Sequence, residues 1–463
     1  MEAPFDIAAD LDTPVSAYLK LRPFKPRFLL ESVESAERLA RYSFLGLGEA
    51  LTLEFRSDTN EVLVDGAARP RPGSAAQWLE LMREALSLSP QLKPEIPGIP
   101  FNGGLVGAAG YDVVRYFERL PANRAELTGL PQGAFVAPRS VLVFDHLTRR
   151  VALLHAGSEA ERQALRTEVV KALRGGVSTV SRRHGFSKAE SSFAKRDFLD
   201  AVARCKTHIS AGDIYQIVLS SRFSGRSDLD PFQTYRGMRL LNPSPYMFFF
   251  ELGGLKVAGS SPEALVRLDA REASLRPIAG TRPRGTTPAD DLGLEQELLA
   301  DPKEGAEHVM LVDLARNDLG RVAQAGSVHV DPYRKIERYS HVMHIVSGVR
   351  GQLAGDHDAL DLFAAAFPAG TLVGAPKVRA MEIIAGLEPV ARGLYGGTVG
   401  YFAKNGNMDQ AITIRTMVFN GDEYSFQAGA GIVADSVPER EHDEVLAKSA
   451  ILRRSLELAE EGL

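Results

Sequence analysis

The stretch Tyr246-Met247-Phe248-Phe249-Phe250-Glu251-Leu252-Gly253-Gly254-Leu255-Lys256-Val257 carries two β-type runs, Tyr246 to Leu252 and Leu255 to Val257, with no room for a helix between them. Aromatic and β-branched residues bounded by glycine mark strands. Runs of the same kind lie at Ala50 to Phe55, Val141 to Phe144, Tyr215 to Leu219, Thr398 to Phe402, Ala411 to Met417 and Tyr424 to Ala428. Strands that follow strands, rather than alternating with helices, predict an α+β fold with an antiparallel or mixed sheet and packed helices. Helices are expected over Ala76 to Leu86, over Lys195 to Ile209 and from about 438 onward. Gly175 to Ser192, rich in Gly, Ser, Arg and Lys, reads as a linker or long surface loop, which sets a boundary near 185 between regions 1–185 and 186–463.

At 463 residues, with 44% hydrophobic and 24% charged composition, the chain is long enough for a large core or two domains. Its net charge of -5 gives no global attraction to nucleic acid, and no apolar stretch is long enough to span a bilayer. With an acidic start that lacks a signal-peptide pattern, a cytoplasmic protein without nucleic-acid or membrane partners is expected. The one cysteine, Cys205, rules out an intrachain disulfide and reads as a small inert residue on a helix.

Two glutamate pairs stand out, Glu304 with Glu307 and Glu441 with Glu444. Each has the i,i+3 spacing that puts both carboxylates on one helix face. If the two helices converge, four hard oxygen donors surround one point, as an octahedral Mg²⁺ requires. The same residues also make ordinary solvated helices: Asp301, Pro302 and Glu304 form a helix start, and Glu444 can pair with Lys448 one turn on. Two glycine motifs are set aside as nucleotide sites. Gly429 to Ala434 is followed by too little chain for a βαβ unit, and Gly370 to Lys377 has the wrong Gly-to-Lys spacing for a phosphate loop. As loops, both can still offer backbone N–H groups to a carboxylate.

Several long blocks in order, Pro277 to Gly285, Asp301 to Gly320, Gly370 to Lys377 and Gln427 to Lys448, resemble the signature blocks of chorismate-utilising enzymes. The likeness is to the large synthase subunit of anthranilate synthase. It extends upstream to Leu29-Leu30-Glu31-Ser32 and to Gly110 through Glu118, and so covers nearly the whole chain. The fold this implies is two orthogonally packed, mainly antiparallel β-sheets flanked by helices, with a tryptophan-regulatory segment in 1–185 and the chorismate-binding catalytic region in 186–463.

By that resemblance Glu307 and Glu444 contact Mg²⁺, with Glu304 and Glu441 in the same acidic site. Arg415 clamps the enolpyruvyl carboxylate, a task suited to a guanidinium fork. Ala279, Gly280, Thr281, Tyr395, the N–H groups of Gly429, Ala430 and Gly431, and Lys448 fall at further substrate-binding positions. Glu263 corresponds to the acid that protonates the departing ring hydroxyl, which needs a carboxyl held neutral. His344 matches a histidine of later steps, and Gln216 and Thr371 complete the catalytic set; His341 and His308 read as structural.

Two residues discriminate among reactions. Relatives that add water to chorismate carry a lysine base where this chain has Gln216, and most aminodeoxychorismate synthases carry a nucleophilic lysine where it has Ala279. Ammonia is therefore expected to attack the ring directly, giving anthranilate and pyruvate. The ammonia is expected from a separate glutaminase subunit using glutamine, making a hetero-oligomer. Glu31 and Ser32, with Pro243, Ser244, Tyr246 and Met247, resemble the two segments of a tryptophan feedback site. The competing readings are an aminodeoxychorismate synthase lacking its lysine and a non-catalytic tryptophan-binding homologue. Val373, Gly305 and Ala108 depart from the family pattern, and Gly305 should weaken its helix by roughly 1 kcal/mol relative to alanine.

Overall fold

A computed structural model describes the whole chain except residues 1–3, 33–40, 58, 60, 122–129, 178–184, 340 and 341. His341 therefore lies outside the described residues. Among these, two large sheets of twelve and eleven strands and a small one of three contain only antiparallel pairs.

The aromatic run explains the layering. Strand Tyr246–Leu252 sits in the middle of the twelve-stranded sheet, between Pro26–Glu31 and Leu255–Ser261. Its side chains alternate: Phe248 and Phe250 enter a core shared with Val106, Val399 and Tyr401 of the other large sheet. Phe249 points the opposite way, against Tyr18 and Phe232 on helices that cover the outer face. Both faces are buried, so the sequence reads as an unbroken apolar run instead of an alternating one. Gly253 and Gly254, both at positive φ, close the hairpin with the twist that flanking strands require.

Helices Lys195–Ser210, Pro231–Leu241 and Pro438–Glu461 pack on the outer face of the twelve-stranded sheet. On the other large sheet, Trp78 of helix Ala75–Leu88 lies between Phe55 and Phe363. The expected helices thus form to within two residues at their ends. Both large sheets and the core between them draw strands from both sides of residue 185. Within the stretch expected to be linker, Glu190–Ser191 adds an edge strand beside Gln216–Arg226.

One strand expectation is corrected. Ala411 to Met417 is not continuous: Met408–Ile412 belongs to the eleven-stranded sheet and Thr416–Asn420 to the twelve-stranded one. The chain changes sheets between them, and Arg415 turns the corner at φ 49. A period-two pattern survives such a corner, because both halves are strands, so the break is invisible to periodicity.

Candidate active site

A cleft of about 710 Å³ opens where the two large sheets, the small sheet and two helices meet. It collects Gln216, Glu263, Ala279, Thr281, Glu307, His344, Thr371, Tyr395, Arg415, Gly429, Gly431, Glu441, Glu444 and Lys448. Residues scattered over more than two hundred positions share one wall. Gly280 and Glu304 stand just behind it, and Ala430 points away into the core.

Glu263 lies between strands Leu255–Ser261 and Ala264–Asp269, where the chain passes from one large sheet to the other. Part of its surface faces the cleft, yet its carboxyl is surrounded deeply enough that burial pushes its pKa up to about 7. The Thr371 hydroxyl, donating at 2.9 Å, and the positive charges of Arg415 and Lys448 oppose that rise. Desolvation wins, leaving a carboxyl that holds or releases a proton near neutrality.

His344 faces Thr281 across the small sheet, beside a bulge at Gly280, whose φ is 69. Its Nδ1 lies 3.1 Å from the Gly280 carbonyl and 3.0 Å from Thr281 Oγ1. A proton donated to that carbonyl fixes the tautomer and leaves Nε2 as the basic atom. Burial lowers the ring pKa, against the Gly280 bond and with help from Arg415, so the ring is neutral. His308 is fully buried, Nε2 on Ser347 Oγ at 2.7 Å, and burial pulls its pKa down to about 4.

Arg415 enters the cleft from the sheet-switching corner, its Nη1 3.5 Å from Asn242 Oδ1. Gly429 to Gly431 are not in a loop: they lie inside strand Glu423–Ile432, paired with Val218 to Ser220. Pairing with Thr416–Asn420 stops at Phe426, so beyond it the other edge of the strand opens at the cleft. Tyr395 packs over Gly429; a Cβ there would meet its Oη at 2.6 Å.

The glutamates sit on helices Pro302–Gly320 and Pro438–Glu461. Asp301 caps the first as expected, accepting from the Lys303 and Glu304 N–H groups. Glu307 accepts from Gln216 Nε2 at 3.2 Å, Glu304 lies 3.5 Å from Arg282 Nη1, and Glu444 pairs with Lys448 at 2.6 Å. Burial and the charges of Glu307 and Glu444 respectively raise the pKa of Glu304 and Glu441. Among the described residues no group of three or more His, Cys, Asp or Glu side chains is placed to hold an ion. Mg²⁺ does not require one, since it commonly takes one or two carboxylates and fills its octahedron with water and substrate oxygens. Hard oxygen donors on two helices that line the same cleft fit it in chemistry.

Sequence reasoning missed Lys303, Arg440 and Asn242, all on the cleft wall. Each of the two cations directly precedes a singled-out glutamate, which was the available signal. Gly305 has a local reason: a side chain there would crowd Arg334 Nη2, 3.3 Å from an added Cβ.

A second cleft, of about 520 Å³, lies between strands Pro26–Glu31 and Tyr246–Leu252 and the other large sheet. Glu31, Ser32, Tyr246 and Met247 line it, whereas Pro243 and Ser244 line the first cleft. Glu31 and Met247 are register partners. The Ser32 hydroxyl is buried without a hydrogen-bond partner among the described residues, and the Tyr246 hydroxyl donates to buried Asp409 at 3.0 Å.

Residues 25–454 match the family model described as chorismate binding enzyme. The chain is 46% identical to anthranilate synthase component 1 of Thermus thermophilus, over 98% of this chain and 97% of that one. It is 44% identical to the protein of that name from Pseudomonas aeruginosa, over 99% and 96%. Among solved structures, anthranilate synthase component I from Streptococcus pneumoniae superposes with a TM-score of 0.80 at 32% identity, covering 98% of this chain and all of that one. The isochorismate synthase MenF of Escherichia coli, 20% identical with a TM-score of 0.70 over 95% and 91% of the two chains, shares the fold. With its sheets, cleft and sequence in agreement, the chain belongs to the chorismate binding enzyme family.

Proposed function

We propose that this chain converts chorismate and ammonia to anthranilate and pyruvate, as the name of its relatives suggests. The observation that carries the reading is Glu263, a carboxyl with pKa near 7 in the same cleft as Arg415. Ammonia adds to ring carbon 2 while the carbon-4 hydroxyl leaves with the Glu263 proton as water. His344 Nε2 then takes the proton from carbon 2, and the enolpyruvyl group departs as pyruvate, which aromatises the ring. Arg415 holds the enolpyruvyl carboxylate; Lys448 and the open strand edge at Gly429 support the other anionic groups. Glu307 and Glu444, with Glu304 and Glu441 nearby, would hold Mg²⁺, which would supply positive charge to offset the anionic substrate. Ala279 offers no amine for an adduct, and Gln216 is engaged with Glu307, which supports amination over the para-product and water-adding alternatives.

The ammonia comes from a glutaminase subunit. Support lies in Cys205, the one cysteine of the chain, which is buried, its thiol pushed up to about 12 by desolvation. Mixing the purified chain with chorismate, ammonium and Mg²⁺ and following anthranilate fluorescence, with chromatography in parallel, tests the reading. Anthranilate that disappears on chelation supports it; an aminodeoxychorismate product overturns it in favour of the para-amino pathway.

The second cleft is the proposed tryptophan site. Its Ser32 hydroxyl, without a partner among the described residues, and its aromatic and apolar wall suit an amino acid with a large ring, while the Glu31 carboxylate is held by Tyr235 and Arg239. Calorimetry with tryptophan decides it; no heat of binding removes the assignment.

A further inference from the structure

Behind the cleft wall, Arg392 and Glu388 form a buried ion pair, 4% and 7% exposed, joined at 2.7 and 2.9 Å. Removing two charges from water is costly, and such a pair persists where its remaining valences are filled. Here several of them reach toward the cleft. Arg392 Nη1 donates to the Leu372 carbonyl at 2.7 Å and Nη2 to the Val218 carbonyl at 2.9 Å. Its guanidinium lies over the Tyr395 and Tyr111 rings, 5.6 and 4.8 Å from their centroids. Glu388 Oε1 accepts from the Ser220 N–H and hydroxyl, and that hydroxyl accepts in turn from Gln427 Nε2.

The residues so gripped are the supports of the chemistry. Leu372 follows Thr371 in the short helical turn Gly370–Leu372, and Thr371 is the donor to Glu263. Val218 and Gln427 line the cleft, as does Tyr395. We propose that Arg392, held by Glu388, is a positioning residue for the general acid: by fixing the Leu372 carbonyl it sets the Thr371 hydroxyl on Glu263. This rests on the reading of Glu263 as the acid. The charged groups bearing on Glu263 are Arg415 and Lys448, with neutral His344 and Tyr395 in the same cleft. None is touched by a change at Arg392 except Tyr395, over whose ring the guanidinium lies.

The test uses the full chain with ammonium as nitrogen source. Arg392→Lys keeps the buried charge but loses the fork, and the double variant Arg392→Met/Glu388→Gln removes both charges in case the first does not fold. The expected result in whichever folds is a fall in kcat of about tenfold, with KM changed less than about threefold. The alkaline limb of the kcat profile should move upward, because a carboxylate that loses its donor binds its proton more tightly. Adding Thr371→Val to Arg392→Lys should move that limb no further than Thr371→Val alone. A limb that stays in place, with activity lost only in proportion to folded protein, overturns the proposal. Glu263→Gln, run beside it, separates the two readings: full turnover there removes the acid assignment itself, whereas a dead Glu263→Gln with an unmoved Arg392→Lys profile removes only the positioning role.

Discussion

The Thr371 hydroxyl donates to Glu263 Oε1 at 2.9 Å and, with the charges of Arg415 and Lys448, holds down a carboxyl pKa otherwise raised by burial. Replacing Thr371 by Val should raise that pKa above about 7 and carry the alkaline limb of kcat with it, in a pH series at saturating chorismate. Glu263→Gln should lower kcat by roughly 10²–10⁴-fold while chorismate binding stays measurable.

The same shift has a stability consequence. A carboxyl whose pKa rises from 4.5 unfolded to about 7 folded contributes stability below the unfolded value and loses it as pH climbs through the folded one. Above that pH the ionised Glu263 is a burden, so Glu263→Gln should be more stable than the parent by about 1–3 kcal/mol there. The difference should shrink toward acid pH. Denaturant melts at the two extremes would expose an error in sign.

Arg415→Lys should raise KM for chorismate by about ten- to hundredfold, since a point charge cannot replace a bidentate grip. Steady-state kinetics with near-normal KM would return this residue to a purely structural corner.

Glu444→Gln and Glu307→Gln should each raise the Mg²⁺ concentration for half-maximal rate by at least the roughly ten- to hundredfold that supporting residues cost at metal sites. Metal titration of chelator-treated protein checks it. An unchanged titration would leave Glu444 as the partner of Lys448 alone.

Gly429→Ala places a methyl 2.6 Å from Tyr395 Oη and 2.9 Å from the Leu219 carbonyl. Overpacking of this kind costs about 1–3 kcal/mol, and a lowered Tm with lowered activity is expected. A variant of parental Tm would mean that Tyr395 moves aside without penalty.

Much of this was legible in the chain. Strand-after-strand order foretold antiparallel or mixed sheets, and Asp301-Pro302 marked the start of the glutamate helix because capping chemistry is local. The corner at Arg415 was not, since a left-handed arginine between two strands leaves the alternation intact. Nor was the strand at Gly429, where two glycines looked like a loop but in fact clear space, Gly429 for Tyr395 and Gly431 for Gln216. Arg392 and Glu388 gave no signal either: an i,i+4 pair reads as solvated surface, and only the packed structure shows it buried. Long-range burial decided each of these, and no local pattern encodes it.

The segment Asn242 to Met247 has one end on each cleft, Asn242 to Ser244 on the first and Tyr246 and Met247 on the second. If the second cleft takes its proposed ligand, displacement of this segment from either side would change the affinity on the other by the same factor. An inhibitor bound in the second cleft would raise the half-saturating chorismate concentration only up to a ceiling, reached when its own cleft is full, and not without limit as in a shared pocket. That plateau would reveal two sites without any variant.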